Sequence, residues 1–277
     1  GHEAAGTISA VGSAVVGLSE GDRVGIDPSL FCGACHFCRL GRGNLCERWG
    51  AIGDTVDGAF AESVKVPAAN AYPIPDDMSF GAAAFVEPVS CAVHAVDRLR
   101  LGFGESVLIY GAGTMGLILA QLLRSAGASF VALCDVNESR LERAQGFGFT
   151  VLGKDSEAVR TAAPRGYDNV IEATGVTEVA NDAMAATAKG GKLMIFGVAP
   201  AGEQASYEPF RIYNEEITVV GSMAVLVSYG RAVDLVAAGA VDAPRMLSHT
   251  LGLSGFSEAL ALVRKGEGLK VQIDPRS

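Results

Sequence analysis

SVLIYGAGTMGLILAQLLRSAGASFVALCD, residues Ser106 to Asp135, decides the fold. Ser106–Tyr110 is a short apolar run of the kind that forms a buried strand. Met115–Ser125 continues as an apolar helix, and Phe130–Asp135 is a second strand. Between the first strand and the helix stands Gly111-Ala112-Gly113-Thr114-Met115-Gly116, a G-x-G-x-x-G. Alone the pattern is weak. Here it follows a strand, opens a helix and precedes, by about 20 residues, an acidic residue at the end of the next strand. Each part has a physical task. Gly111 makes the tight turn, Gly113 lets the backbone approach a pyrophosphate, and Gly116 lets the helix pack close to the strand. The first N–H groups of the helix, around Thr114 and Met115, face the phosphates with the positive end of the helix dipole. Asp135 accepts hydrogen bonds from ribose hydroxyls and repels a 2′-phosphate, which favours NAD over NADP. Arg140 is the one nearby basic residue; it is expected to hold the adenosine ribose together with Asp135, and it keeps NADP open. Glycines serving helix packing alone would not require this spacing.

Outward from this stretch the alternation continues. Asp168–Glu172, Lys192–Phe196 and Ile217–Val220 read as strands, and Val179–Ala188 as a helix between two of them. Near-continuous apolar strands alternating with helices imply a parallel sheet covered on both faces. After Tyr229 come a helix, a strand at Met246–Leu251, a helix around Ser257–Arg264 and a last strand near Leu269–Ile273. Upstream, residues 1 to about 86 read as short strands and loops, punctuated by Pro28, Pro67, Pro73, Pro75 and many glycines. There is no internal repeat and no low-complexity segment.

Composition narrows the function. A length of 277 residues suits two domains. The net charge of -9 repels phosphate backbones and anionic lipid, so neither nucleic acid nor a membrane is expected as a partner. Val107–Leu123, the most apolar candidate for a membrane span, is broken by three glycines and reads as strand, turn and helix. No secretory leader is recognised at Gly1-His2-Glu3, so a cytoplasmic location is expected.

Four of the six cysteines cluster in FCGACHFCRLGRGNLC as C-x2-C-x2-C-x7-C, at Cys32, Cys35, Cys38 and Cys46. Disulfides would be spread to staple distant loops, so a tight cluster points to metal in a reducing compartment. Four thiolates suit tetrahedral zinc and leave no open position, which makes the site structural. An iron–sulfur cluster is the rival reading. His36, inside the cluster, reads as a bystander; Cys91 and Cys134 read as buried small side chains, and His94 as a packed helix residue.

The cysteine lobe, the GAGTMG turn and the opening GHE together resemble the medium-chain zinc alcohol dehydrogenases, in particular their polyol dehydrogenase branch. The resemblance runs through GHEAAG at Gly1, GDRV at Gly21, EPVSCAVHAV at Glu87, EATG at Glu172, GS at Gly221 and GLKVQI near Lys270. It implies a doubly wound Rossmann domain, residues 87–237, and a GroES-like β-barrel domain, residues 1–86 and 238–277. It also implies a catalytic zinc, with His2 as its histidine ligand and Glu87 standing where simple alcohol dehydrogenases carry a second cysteine. Glu3 coordinates or holds the metal's water in polyol-type relatives; which glutamate binds directly is left open. Thr174, Gly197, Val198 and Ser222 are implied near the nicotinamide half. The family's first cysteine ligand and proton-relay residue lie upstream of GHE, so an N-terminal segment omitted from this sequence is expected, with a true fragment as the alternative. A carboxylate in place of a thiolate hardens the site and suits oxygen-rich ligands. The implied reaction is reversible, NAD-linked oxidation of a secondary alcohol, a polyol or sugar alcohol with or without phosphate. Threonine or simple alcohol oxidation on the same scaffold, and a non-enzymatic NAD- and zinc-binding protein, are the alternatives. Family members are dimers or tetramers built through the sheet edge, so a homodimer or homotetramer is expected.

Overall fold

The apolar runs become six parallel strands. In the computed structural model, which describes residues 1–153 and 156–277, these are β1 (Ser106–Tyr110), β2 (Phe130–Cys134), β3 (Thr150–Leu152), β4 (Tyr167–Glu172), β5 (Thr187–Ile195) and β6 (Thr218–Gly221). Their order in the sheet is β6-β5-β4-β1-β2-β3, with every neighbouring pair parallel. The chain therefore winds outward from β1 on one side, then crosses back to lay β4 on the other. Ligands of such sheets bind beyond the carboxyl ends of the strands, where the winding direction reverses. Val107, Leu108 and Ile109 of β1 are fully buried, as a strand covered on both faces requires. Each such side chain contributes about 1.5–3 kcal/mol by leaving water.

The helices that connect these strands are α1 (Thr114–Ser125), α2 (Glu138–Gly146), α3 (Ser156–Ala162), α4 (Thr177–Ala186) and α5 (Pro209–Asn214). Helix α1 is buried continuously from Gly116 to Leu123. Helix α2 begins at Asn137, whose side chain accepts from the Arg140 N–H at 3.2 Å, a normal N-cap.

Of the limits that differ from the sequence reading, two share one cause. The helix expected to reach Ala188 stops at Ala186, and β5, expected from Lys192, starts at Thr187. Thr187 explains both. Its hydroxyl donates to the Ala183 carbonyl at 2.9 Å and closes the helix, while its backbone pairs with Tyr167. The ladder then shifts register between Thr187 and Lys192, where Gly190 turns with a φ of 73°.

The chain divides into two compact units, Ala92–Met223 and Gly1–Cys91 with Ala224–Ser277. The sequence boundary after residue 86 and this one both fall at the helix Val86–Leu99. Residues 224–237, placed with the sheet by the sequence reading, group here with the N-terminal unit: the Tyr229 ring packs on Tyr72 with centroids 4.8 Å apart.

In that unit Ala4–Thr7, Arg23–Ile26 and Ala71–Pro73 form an antiparallel sheet. Leu247–Leu251 and Lys270–Ile273 pair in parallel around the helix Phe256–Lys265, and Ser29–Leu30 pairs with Gly50–Ala51. Two four-residue helices, His36–Arg39 and Phe80–Ala83, interrupt a region read as strands and loops; one turn is too short to show a helical period. Arg23 fastens the loop at 75–78. Its guanidinium donates to the carbonyls of Pro75, Asp76 and Met78 and lies over the Phe80 ring, 4.6 Å from its centroid.

Candidate functional site

The four lobe cysteines converge. Their sulfurs all lie within 4.8 Å of one another, with Cys32–Cys38 at 3.9 Å and Cys35–Cys46 at 3.8 Å. A zinc ion with Zn–S bonds of about 2.3 Å sets the edges of its tetrahedron at about 3.8 Å. The spacing fits one ion and leaves no room for a multi-atom iron–sulfur core. Backbone N–H groups point at the sulfurs: Cys35 to Cys32 at 3.3 Å, Cys32 to Cys46 at 3.4 Å and Arg48 to Cys46 at 3.3 Å. Donation from the Ala34 and Cys35 N–H groups draws the Cys32 thiol down to about 5, whereas burial pushes Cys38 up to about 12. Four crowded thiols cannot all ionise without a cation, and a cation is what the donor set suits. His36 packs edge-on against Phe37 and stands outside the cluster.

A second cluster is assembled from distant positions. His2, Glu3 and Glu87 each bring a ligand atom within 4.8 Å of the others. His2 and Glu3 immediately precede the strand Ala4–Thr7, while Glu87 sits in the first turn of Val86–Leu99. Glu87 is 7% exposed. Burial, reinforced by the Glu3 carboxylate, raises it to about 8. A buried carboxylate beside a second carboxylate and an imidazole is costly unless a cation joins them, so this donor set also fits a metal.

Two neighbours of this cluster escaped the sequence reading. Lys270 forms an ion pair with Glu3 and lies 5.7 Å from the centroid of the Phe85 ring. Cys91, expected only as a small buried side chain, is half-buried and its thiol donates to Glu87 Oε1 at 3.5 Å. An i,i+4 spacing on one helix foretells the Cys91 contact. Nothing local signals Lys270, which reaches Glu3 because the strand Lys270–Ile273 folds back.

The glycine-rich turn has the expected geometry. Gly111 has a φ of 107°, which other residues reach only with strain. A Cβ on Gly116 would stand 1.8 Å from the Gly111 carbonyl oxygen, so no larger residue fits without moving the helix. A Cβ on Gly113 would meet nothing within 4 Å, leaving its backbone face open. No side chain caps α1 at Gly113, and the helix start at Thr114 and Met115 presents the positive end of the helix dipole, which favours an anion. Asp135, 9% exposed, accepts from the Ala112 N–H at 2.8 Å and the Asn137 N–H at 2.9 Å, and Arg140 stands 3.5 Å away. Arg140 thus pairs with Asp135 and partly balances its charge.

Thr174, Gly197, Val198 and Ser222 follow the carboxyl ends of β4, β5 and β6. Thr174 and Gly197 both meet Glu172, a residue named in the sequence only as part of EATG. Val198 is 93% exposed. The Ser222 hydroxyl is buried and has no hydrogen-bond partner among the described residues, an orphaned group of the kind a ligand satisfies.

Comparison with known proteins agrees in both units. Residues 1–76 match the model of the alcohol dehydrogenase GroES-like domain, and residues 114–238 that of the zinc-binding dehydrogenases. D-arabinitol dehydrogenase 1 of Uromyces fabae is 35% identical over 99% of this chain and 81% of its own length. The L-threonine 3-dehydrogenase of Chromobacterium violaceum is 32% identical over 100% of this chain and 82% of its own. A solved structure described as a zinc-binding dehydrogenase of Sinorhizobium meliloti 1021 bound to NADP superposes with a TM-score of 0.90. It is 37% identical, over 94% of this chain and 78% of that one.

Proposed function

This chain belongs to the zinc-binding alcohol dehydrogenase family, and from that premise we propose that it oxidises a polyol or sugar alcohol, free or phosphorylated, at a secondary hydroxyl with NAD. Membership makes it a zinc-dependent oxidoreductase of CH–OH groups using a nicotinamide dinucleotide. The observation that carries the proposal is the convergence of His2, Glu3 and Glu87, with Glu87 buried, on one point. Two carboxylates and one imidazole form a harder donor set than thiolates, suited to a metal that must also meet alcohol oxygens. The arabinitol dehydrogenase of Uromyces fabae supports the polyol class.

His2, Glu3 and Glu87 hold the catalytic zinc, and Cys32, Cys35, Cys38 and Cys46 hold a second, structural one. Bound there, the catalytic ion supplies Lewis-acid polarisation of the alcohol and the dinucleotide supplies a hydride acceptor. The residues of the chain do the rest. Lys270 pairs with Glu3 and competes with the ion for its carboxylate, and the Cys91 thiol orients Glu87. Gly111, Gly113, Thr114, Met115 and Gly116 cradle the pyrophosphate at the start of α1. Asp135 accepts from the adenosine ribose, steadied by Arg140. Thr174, Gly197, Val198 and Ser222 receive the nicotinamide half. A 2′-phosphate would meet the Asp135 carboxylate, which supports NAD; the NADP-bound relative makes the cofactor ratio a direct check.

Six cysteines, none of them in a disulfide, support a reducing, cytoplasmic setting. The open edge of β6, with Val219 42% exposed, supports pairing with a second copy in a homodimer or homotetramer.

The test is zinc content with a rate assay on one preparation: NADH formation from D-arabinitol, sorbitol and D-altritol, against L-threonine and ethanol, then NADP in place of NAD. One zinc per cluster and turnover of polyols with NAD is expected. Faster turnover of L-threonine, which the Chromobacterium violaceum relative supports, would replace the substrate class. A single zinc with no turnover of any alcohol would leave a binding protein without catalysis.

A further inference from the structure

The geometry points to Glu172 as the positioning residue that builds the nicotinamide side of the cofactor site from three separate strand ends. The inference rests on the reading above that the Ala92–Met223 unit binds a nicotinamide dinucleotide.

Glu172 closes β4 and pairs with Tyr110, the residue before Gly111. It is 2% exposed. One carboxylate oxygen, Oε1, accepts three donors: the Thr174 N–H at 2.6 Å, the Gly175 N–H at 2.9 Å and the Thr174 hydroxyl. That hydroxyl in turn accepts from the Val176 N–H at 3.0 Å, so the loop after β4 is wound around a single charged atom. The other oxygen faces β5. A Cβ on Gly197 would lie 2.6 Å from Oε2 and 2.2 Å from the Gly175 nitrogen. The main chain follows the same plan, because the Glu172 carbonyl accepts from both Phe196 and Gly197. On the opposite flank, a Cβ on Gly111 would lie 3.2 Å from the Thr174 methyl group. Glu172 thus sets Thr174 between the glycine-rich turn and the exit of β5.

The sheet order gives this wall its place. Asp135, which receives the adenosine ribose, follows β2 on one side of β1. Glu172 and the loops it ties follow β4 and β5 on the other. A dinucleotide centred on the glycine-rich turn lays its two halves on opposite sides of β1, so the Glu172 side takes the nicotinamide. Bonds to an ionised acceptor are shorter and stronger than neutral ones, and three on one oxygen fix the loop.

The test separates the two halves of the cofactor. NADH and ADP-ribose, which lacks the nicotinamide, are titrated calorimetrically against the wild-type holoenzyme and Glu172→Gln. The amide keeps the shape and removes the charge. NADH is expected to bind about tenfold more weakly to the variant while ADP-ribose stays within about twofold. Equal weakening of both ligands, or of neither, overturns the proposal. If Glu172→Gln does not fold, the pair Thr174→Val and Thr174→Ser decides by the same ratio. Valine should lose NADH selectively and serine should restore it; equal behaviour of the two overturns the proposal. A wild type that binds neither ligand would instead sink the dinucleotide reading on which the inference stands.

Discussion

The two metal-fitting clusters of the N-terminal unit are built on opposite plans. The cysteine lobe draws all four ligands from Cys32 to Cys46 and surrounds them with its own backbone N–H groups. The second cluster takes His2 and Glu3 from before one strand and Glu87 from a helix, and Lys270 reaches Glu3 from the far end of the sequence. A local, four-sulfur site can shape itself around an ion as it folds, and its ion is part of its stability. A site of three donors drawn from separate elements exists only once the unit around it is in place, and leaves a coordination position open. One cluster folds the chain; the other uses the fold.

Four experiments would break or sharpen that contrast. The largest effect is expected from Cys46→Ser. Structural zinc sites contribute about 10–16 kcal/mol of apparent binding energy, and losing even ~4 kcal/mol of it lowers Tm by about 8–16 °C. Calorimetry with zinc analysis checks this; an unchanged Tm would mean the lobe stands without its ion. Next is Glu87→Gln. Its turnover should fall about 100-fold or more. The zinc-stripped variant should nevertheless be as stable as the zinc-stripped wild type or more so, since a buried carboxylate costs several kcal/mol without a partner cation. A fall in both activity and stripped-protein stability would place Glu87 in the framework. Third, a chelator chase followed with a zinc dye should show two phases, the faster about tenfold or more ahead and lost in Glu87→Gln. A single phase would erase the distinction. The smallest effect belongs to Lys270→Met. Freeing Glu3 from its ammonium partner should tighten zinc at the second cluster about two- to fivefold, the range of a partly exposed ion pair. Weaker zinc binding would show that Lys270 presents Glu3 to the metal rather than competing for it.

The same contrast governs what the sequence could reveal. The glycine-rich turn was legible because its parts are contiguous and each follows from a local requirement: the 107° φ of Gly111, the Gly116 contact, the acidic residue at the next strand end. The cysteine lobe was legible for the same reason. His2, Glu3 and Glu87 were reached through resemblance, since a single histidine or glutamate carries no spacing. Lys270 and Glu172 were missed as site residues because their roles come from register and backfolding: Glu172 opposite Tyr110, Lys270 beside Glu3. Thr187 was read into the end of a helix because apolar periodicity does not register one hydroxyl returning to Ala183.

The position of β1 has a consequence for how this protein is made. It is the first strand of its sheet to leave the ribosome, and it ends in the middle, between β2 and β4. Its second neighbour begins only at Tyr167, roughly 60 residues later, which translation at about 5–20 residues per second delivers after some 3–12 s. Throughout that interval the nascent chain carries SVLIY with one hydrogen-bonding edge bare, an apolar template open to another chain. Slow codons between β3 and β4 would lengthen the exposure, and a chaperone that shields short apolar strands would find its first target there.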